Sequence, residues 1–183
     1  MSAGEHLDRA LAEEREAHRA ALEGRPSAEH YRAARDAYLA SHAETGPQSW
    51  GRLIGALKMA ILADDGVEGV ARQALAETVS AESPAAAYAR ALAAVAVGEP
   101  PDVTAMLDAG GAFRQTGEAL AALGEVDAPA YRRYLEAIVA DFAGRDQHLS
   151  GVAVADTAMV LERLAESRGI AARPSSPLVP LIR

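Results

Sequence analysis

Apolar residues recur at three- and four-residue intervals through almost the whole sequence, the spacing that lines one face of a helix. No window alternates apolar and polar residues long enough to predict a strand. Gly closes one periodic segment and Ser, Asp or Pro opens the next, as helix termini prefer. This punctuation predicts nine helices. The first runs from about Ala3 to Gly24, the second from Ser27 to Gly46, the third from Pro47 to Gly66 and the fourth from about Val67 to Ala81. Ser83 and Pro84 open a fifth that ends at Gly98, and Pro100, Pro101 and Asp102 start a short sixth that ends at Gly110 and Gly111. A seventh covers about Gln115 to Leu123, Asp127 and Pro129 begin an eighth ending at Gly144, and a ninth spans about Val152 to Arg168. From Ile170 to Arg183, Pro174, Pro177 and Pro180 forbid a helix interior and predict an extended tail.

Connections this short fold successive helices back as antiparallel hairpins, so the expected fold is all-α, an irregular stack in one domain over residues 1–183. Three helix openings share an early Tyr, at Tyr31, Tyr88 and Tyr131, but their spacing is unequal. The stack is therefore read as α-solenoid-like, without the fixed period of about 34 residues of tetratricopeptide repeats. The third helix is apolar almost all round from Leu53 to Ala63 and is expected in the middle, with the Glu- and Arg-rich first and second helices nearer solvent.

Half of the residues are hydrophobic yet only 4% are aromatic, so the core must be built from Ala, Leu and Val, which suits close helix packing. A net charge of −8 argues against a nucleic-acid binder and allows a basic protein partner. The chain has no Cys, no signal-peptide pattern at its start and no apolar run of spanning length, so a cytoplasmic location with no membrane partner is expected. Basic positions are Arg except for Lys58, which suggests GC-rich bacterial coding.

Candidate chemistry is sparse. His6, His18, His30 and His42 fall twelve residues apart, about 18 Å along one helix. Folding back at Gly24 puts His18 level with His30 and His6 level with His42, and Glu14 lies one turn from His18, so His18, His30 and Glu14 form a candidate metal site. The competing reading leaves these histidines on unrelated faces. Gly110, Gly111 and Arg114 lead into a helix N-terminus and form a candidate anion site, set against an ordinary turn with Phe113 tucked inward. Asp156 interrupts an apolar run and is expected to pair with Arg163 on its own helix. No constellation supplies a catalytic residue, and no cofactor is called for.

The closing helix ADTAMVLERLAESRG and the following IAARPSSPLVPLIR resemble the end of the bacterial immunity-49 family. The matching residues are Leu164, Ala165, Arg168, Gly169, Ser176, Pro177, Leu178 and Pro180, with Val179 standing before the last proline. The resemblance implies a toxin-neutralising protein that works by binding, without an active site. The expected function is thus a non-enzymatic protein-binding module. Two alternatives stand beside it: a small-ligand or metal-binding protein or enzyme with an interhelical pocket, and a scaffold that self-associates through the Ala-rich fifth helix.

Overall fold

A computed structural model describes residues 1–180 of the chain. Among them are nine α-helices and no strand: α1 (Ala3–Leu22), α2 (Ala28–Thr45), α3 (Trp50–Ala63), α4 (Val67–Thr78), α5 (Pro84–Ala96), α6 (Thr104–Ala109), α7 (Gly111–Glu125), α8 (Ala128–Ala143) and α9 (Asp156–Glu166). No helix among the described residues is long and apolar enough to cross a membrane.

Two caps act as the sequence foretells: Ser83 accepts from the Ala86 amide ahead of Pro84, and Asp127 accepts from the Ala130 amide. Ser2 and Glu5 add a capping box on α1. Ser27 departs from this: it is buried and makes no capping bond, so α2 begins without the side-chain cap expected of it. Boundaries move by a few residues, α3 starting at Trp50 rather than Pro47 and α6 at Thr104 rather than Pro100, and two further shifts have visible causes. α7 starts at Gly111 rather than near Gln115, because Gly110 and Gly111 both take positive φ, 72° and 55°, and turn the chain within two residues. α9 starts at Asp156 rather than near Val152. Residues 150–155 instead run as an irregular strap in which Val152, Val154 and Ala155 are buried and the Ala155 amide donates to the Leu178 carbonyl.

Each helix packs on its neighbour in the chain, and α3 also meets α5 and α9 while α5 meets α7. α3 is therefore central, as its all-round apolar surface predicts, with Leu53, Leu57 and Leu62 fully buried. α5 is equally enclosed: Ala86 to Val95 are buried, with only Arg90 half-exposed, so its small residues serve internal packing. That overturns the expectation that α5 offers a face for self-association.

After α9 the chain crosses the body, held by buried Glu162. Its carboxylate accepts from the Tyr131 hydroxyl at 2.8 Å and from the Ala172 and Arg173 amides at 2.9 and 2.6 Å. Leu178 and Val179 pack on the core, and the docking expected of Leu181 and Ile182 lies outside the described residues.

Candidate functional site

Glu14 and His18 stand one turn apart on the inward face of α1, 4% and 1% exposed. Burying two titratable groups side by side is costly unless each finds a partner. Glu14 Oε2 accepts from the Tyr38 hydroxyl of α2 at 2.5 Å, and His18 Nδ1 shares a 3.0 Å hydrogen bond with Ser150 Oγ on the strap. Arg15 holds the strap from outside by donating to the Ser150 carbonyl at 2.8 Å. From the centre of α3, Lys58, the only lysine in the chain, reaches Asp156 Oδ2 at 2.8 Å and Thr157 Oγ1 at 2.9 Å, both on the first turn of α9. Its ammonium also lies 5.7 Å from the centre of the Tyr88 ring of α5.

These groups wall a cavity of about 220 Å³ between α1, α3, α5, α7, α8 and α9. Thr116 and Phe113 from the start of α7 close one side, and Phe142 of α8 with Leu149, just before the strap, closes another. At the rim, Arg145 pairs with Asp141 and lies over the Phe142 ring, against which His148 stacks at 6.2 Å. Three nearby polar atoms are buried without a hydrogen-bond partner among the described residues: His18 Nε2, His148 Nδ1 and the Tyr31 hydroxyl. Buried atoms of this kind are rare in folded proteins and mark strain or a binding role.

The electrostatics follow from burial and pairing. Burial drives the Glu14 carboxyl up to about 7, aided by the charge of Asp156 and opposed by the Tyr38 hydrogen bond and by Lys58. Burial drives His18 down to about 4, so its ring is neutral at neutral pH. Burial alone would lower Lys58 and raise Asp156, but their mutual attraction outweighs it in both cases, raising Lys58 and lowering Asp156. The cavity thus holds a tight ion pair beside a carboxyl that can take up or release a proton near neutrality and a neutral imidazole. It has hydrogen-bond donors and acceptors on several walls and aromatic edges at its mouth.

The residues singled out from sequence separate here. Glu14, His18 and Asp156 all line the cavity. His30 does not: it faces Glu13 at 2.8 Å on the half-exposed side of the α1–α2 hairpin, because residues level on two helices still point around different arcs. The candidate metal site therefore comes apart, and the described residues contain no group of three or more His, Cys, Asp or Glu side chains placed to hold a metal ion. His42 likewise serves packing, bridging Ser49 at 2.7 Å and Glu77 at 2.6 Å. Arg114 is exposed and its side chain bonds to no described residue, while its amide donates to the Gly110 carbonyl at 3.2 Å in the α6–α7 turn, so Gly110, Gly111 and Arg114 build no anion pocket. Phe113 does tuck inward. Asp156 pairs with Lys58 and not with Arg163, which lies about 10 Å along α9 and meets Asp64 and Glu166 instead.

Lys58, Tyr38, Tyr88 and Ser150 escaped the sequence reading as site residues. Only Lys58 left a usable signal: a lone lysine inside the most apolar helix of an arginine-rich chain. No protein-family model, curated protein or solved structure matches this chain.

Proposed function

We propose that this protein binds a small polar molecule in the cavity between α1, α3, α5, α7, α8 and α9. One observation carries the reading: buried Glu14 and His18 and half-buried Lys58 and Asp156, drawn from three helices far apart in sequence, line one cavity. A buried ion pair is often no more stabilising than well-packed apolar residues of the same volume, so stability alone gives little reason for the arrangement. Cavities for drug-sized ligands run to about 300–1,000 Å³, so a volume of about 220 Å³ fits a smaller metabolite. The ion pair and neutral imidazole favour a ligand carrying both donors and acceptors.

The test is a thermal-shift screen of small polar metabolites on the wild type and on Ala112→Trp. Ala112 lies on the cavity wall yet is exposed, so an indole there blocks the space without entering the core. A ligand that raises the wild-type Tm and leaves the variant unmoved supports the reading. Equal shifts in both proteins, or no shift with any compound, would contradict it.

A second reading keeps the immunity-type role. It is supported by the net charge of −8, which suits steered association with a basic toxin, and by the likeness of residues 155–183 in sequence to that family's closing segment. Size-exclusion of the chain mixed with a toxin encoded beside it should give a stoichiometric complex, and separate elution of the two counts against this role. In both readings the sequential helix packing is taken as an irregular α-solenoid-like stack.

A further inference from the structure

A second cavity, of about 180 Å³, adjoins the first, and the two share Glu14, Lys58, Asp156 and Leu149 as lining residues. The second chamber differs in character: Leu7 and Leu11 of α1 and Ile54 and Met59 of α3 make it apolar. At its wall stands Arg52, whose Nε is buried and unpartnered and whose guanidinium forms no ion pair with a described residue. On the shared partition Lys58 is committed to Asp156 and Thr157. Glu14 is committed only through Oε2, to Tyr38, which leaves Oε1 without a hydrogen bond from any described residue. One uncommitted carboxyl group and one uncommitted guanidinium therefore face a shared space, with aliphatic side chains between them. Leu149, 81% exposed, lies over both chambers where a ligand would enter.

We propose that the ligand is an unbranched ω-amino acid, its ammonium on Glu14 at the partition, its methylene chain against Leu7, Leu11, Ile54 and Met59, and its carboxylate on Arg52. This rests on the ligand-binding reading above and names the chemical class. A zwitterion satisfies both uncommitted groups at once, whereas a simple amine or acid leaves one of them unpaired. Binding is also linked to pH. Glu14 is faced by Tyr38 of α2, by Lys58 and Arg52 of α3, by Asp156 of α9 and by His18 on its own helix, while Asp141 and Arg145 across the polar chamber neutralise each other. Because Glu14 must lose its proton to hold an ammonium, affinity rises roughly tenfold between about pH 6 and about pH 8, with proton release on binding.

Isothermal titration with δ-aminovalerate and ε-aminocaproate, against pentylamine and valerate as single-charge controls, tests this. The zwitterions should bind at least about tenfold more tightly than either control. Glu14→Gln, which keeps the side-chain shape, should lower the zwitterion to the level of valerate, and Arg52→Met should lower it to that of pentylamine. Arg52→Lys should recover part of the loss, and circular dichroism verifies that each variant is folded. Controls that match the zwitterions, variants that keep full affinity, or no binding of either zwitterion overturn the proposal. If metabolites from the thermal-shift screen bind, are blocked by Ala112→Trp and ignore Arg52→Met, the polar cavity stands and only the ω-amino acid assignment falls.

Discussion

Lys58 and Asp156 illustrate what a single buried charge demands. Their side chains are 12% and 18% exposed and 2.8 Å apart, and each holds the other in its charged form. Removing one partner strands the other, so Asp156→Ala should lower stability by about 3–5 kcal/mol. The double variant Lys58→Met with Asp156→Leu should lie much closer to wild type, since an apolar pair needs no compensation. Urea denaturation of the three proteins checks this, and equal losses in the single and double variants would contradict it. Side-chain partners of this kind were poorly legible in the sequence. The spacing of Asp156 and Arg163 along one helix pointed to a local pair, but the partner came from α3, almost a hundred residues away. Glu14 and His18 were recognisable as neighbours because one helical turn joins them, whereas nothing in the spacing linked them to Ser150 or Tyr38.

At helix termini the information is local and the sequence conveys it. Ser83 and Asp127 satisfy amides within three residues, the local pairing that lets helices be placed from punctuation. The boundary shift at Gly111 is a local turn of two glycines, whereas that at Asp156 has a tertiary cause. Buried Val152 and Val154 and the bond from Ala155 to Leu178 draw the strap out of α9, and no residue within the strap announces that. The approach of α2 to α3 is another tertiary feature. A Cβ at Gly55 would lie 2.9 Å from the Tyr38 ring, which is itself fixed by Glu14. Gly55→Ala should therefore cost about 1–3 kcal/mol despite the better helix propensity of Ala. It should also release the Tyr38 hydroxyl from Glu14. Thermal denaturation reads the first effect, and a stability gain would show that α2 and α3 are not packed through this glycine.

Across the molecule, Glu14 and His18 set opposing pH dependences. Glu14 titrates at about 7 in the fold against an ordinary 4.5, so its protonated form favours the folded state. The stability it lends is complete below about pH 4.5 and is lost as pH rises through about 7. His18 titrates at about 4 against an ordinary 6.5, so its neutral form favours the fold. The stability it lends is complete above about pH 6.5 and is lost as pH falls through about 4. Between about pH 4.5 and about pH 6.5 the two slopes cancel. Glu14→Gln should uncover the His18 slope, stability rising with pH by about 1.4 kcal/mol per unit relative to wild type. His18→Gln should uncover the reverse slope. Denaturant titrations across that window distinguish the two, and parallel curves for wild type and both variants would refute the opposition. The proposed binding role depends on this interior being polar and able to exchange a proton near neutrality. Carbon-detected NMR titration of the Glu14 carboxyl in the wild-type protein addresses that directly. A midpoint near 7 is predicted, and a midpoint near the ordinary 4.5 would mean that Glu14 is freely solvated and not desolvated at the cavity wall.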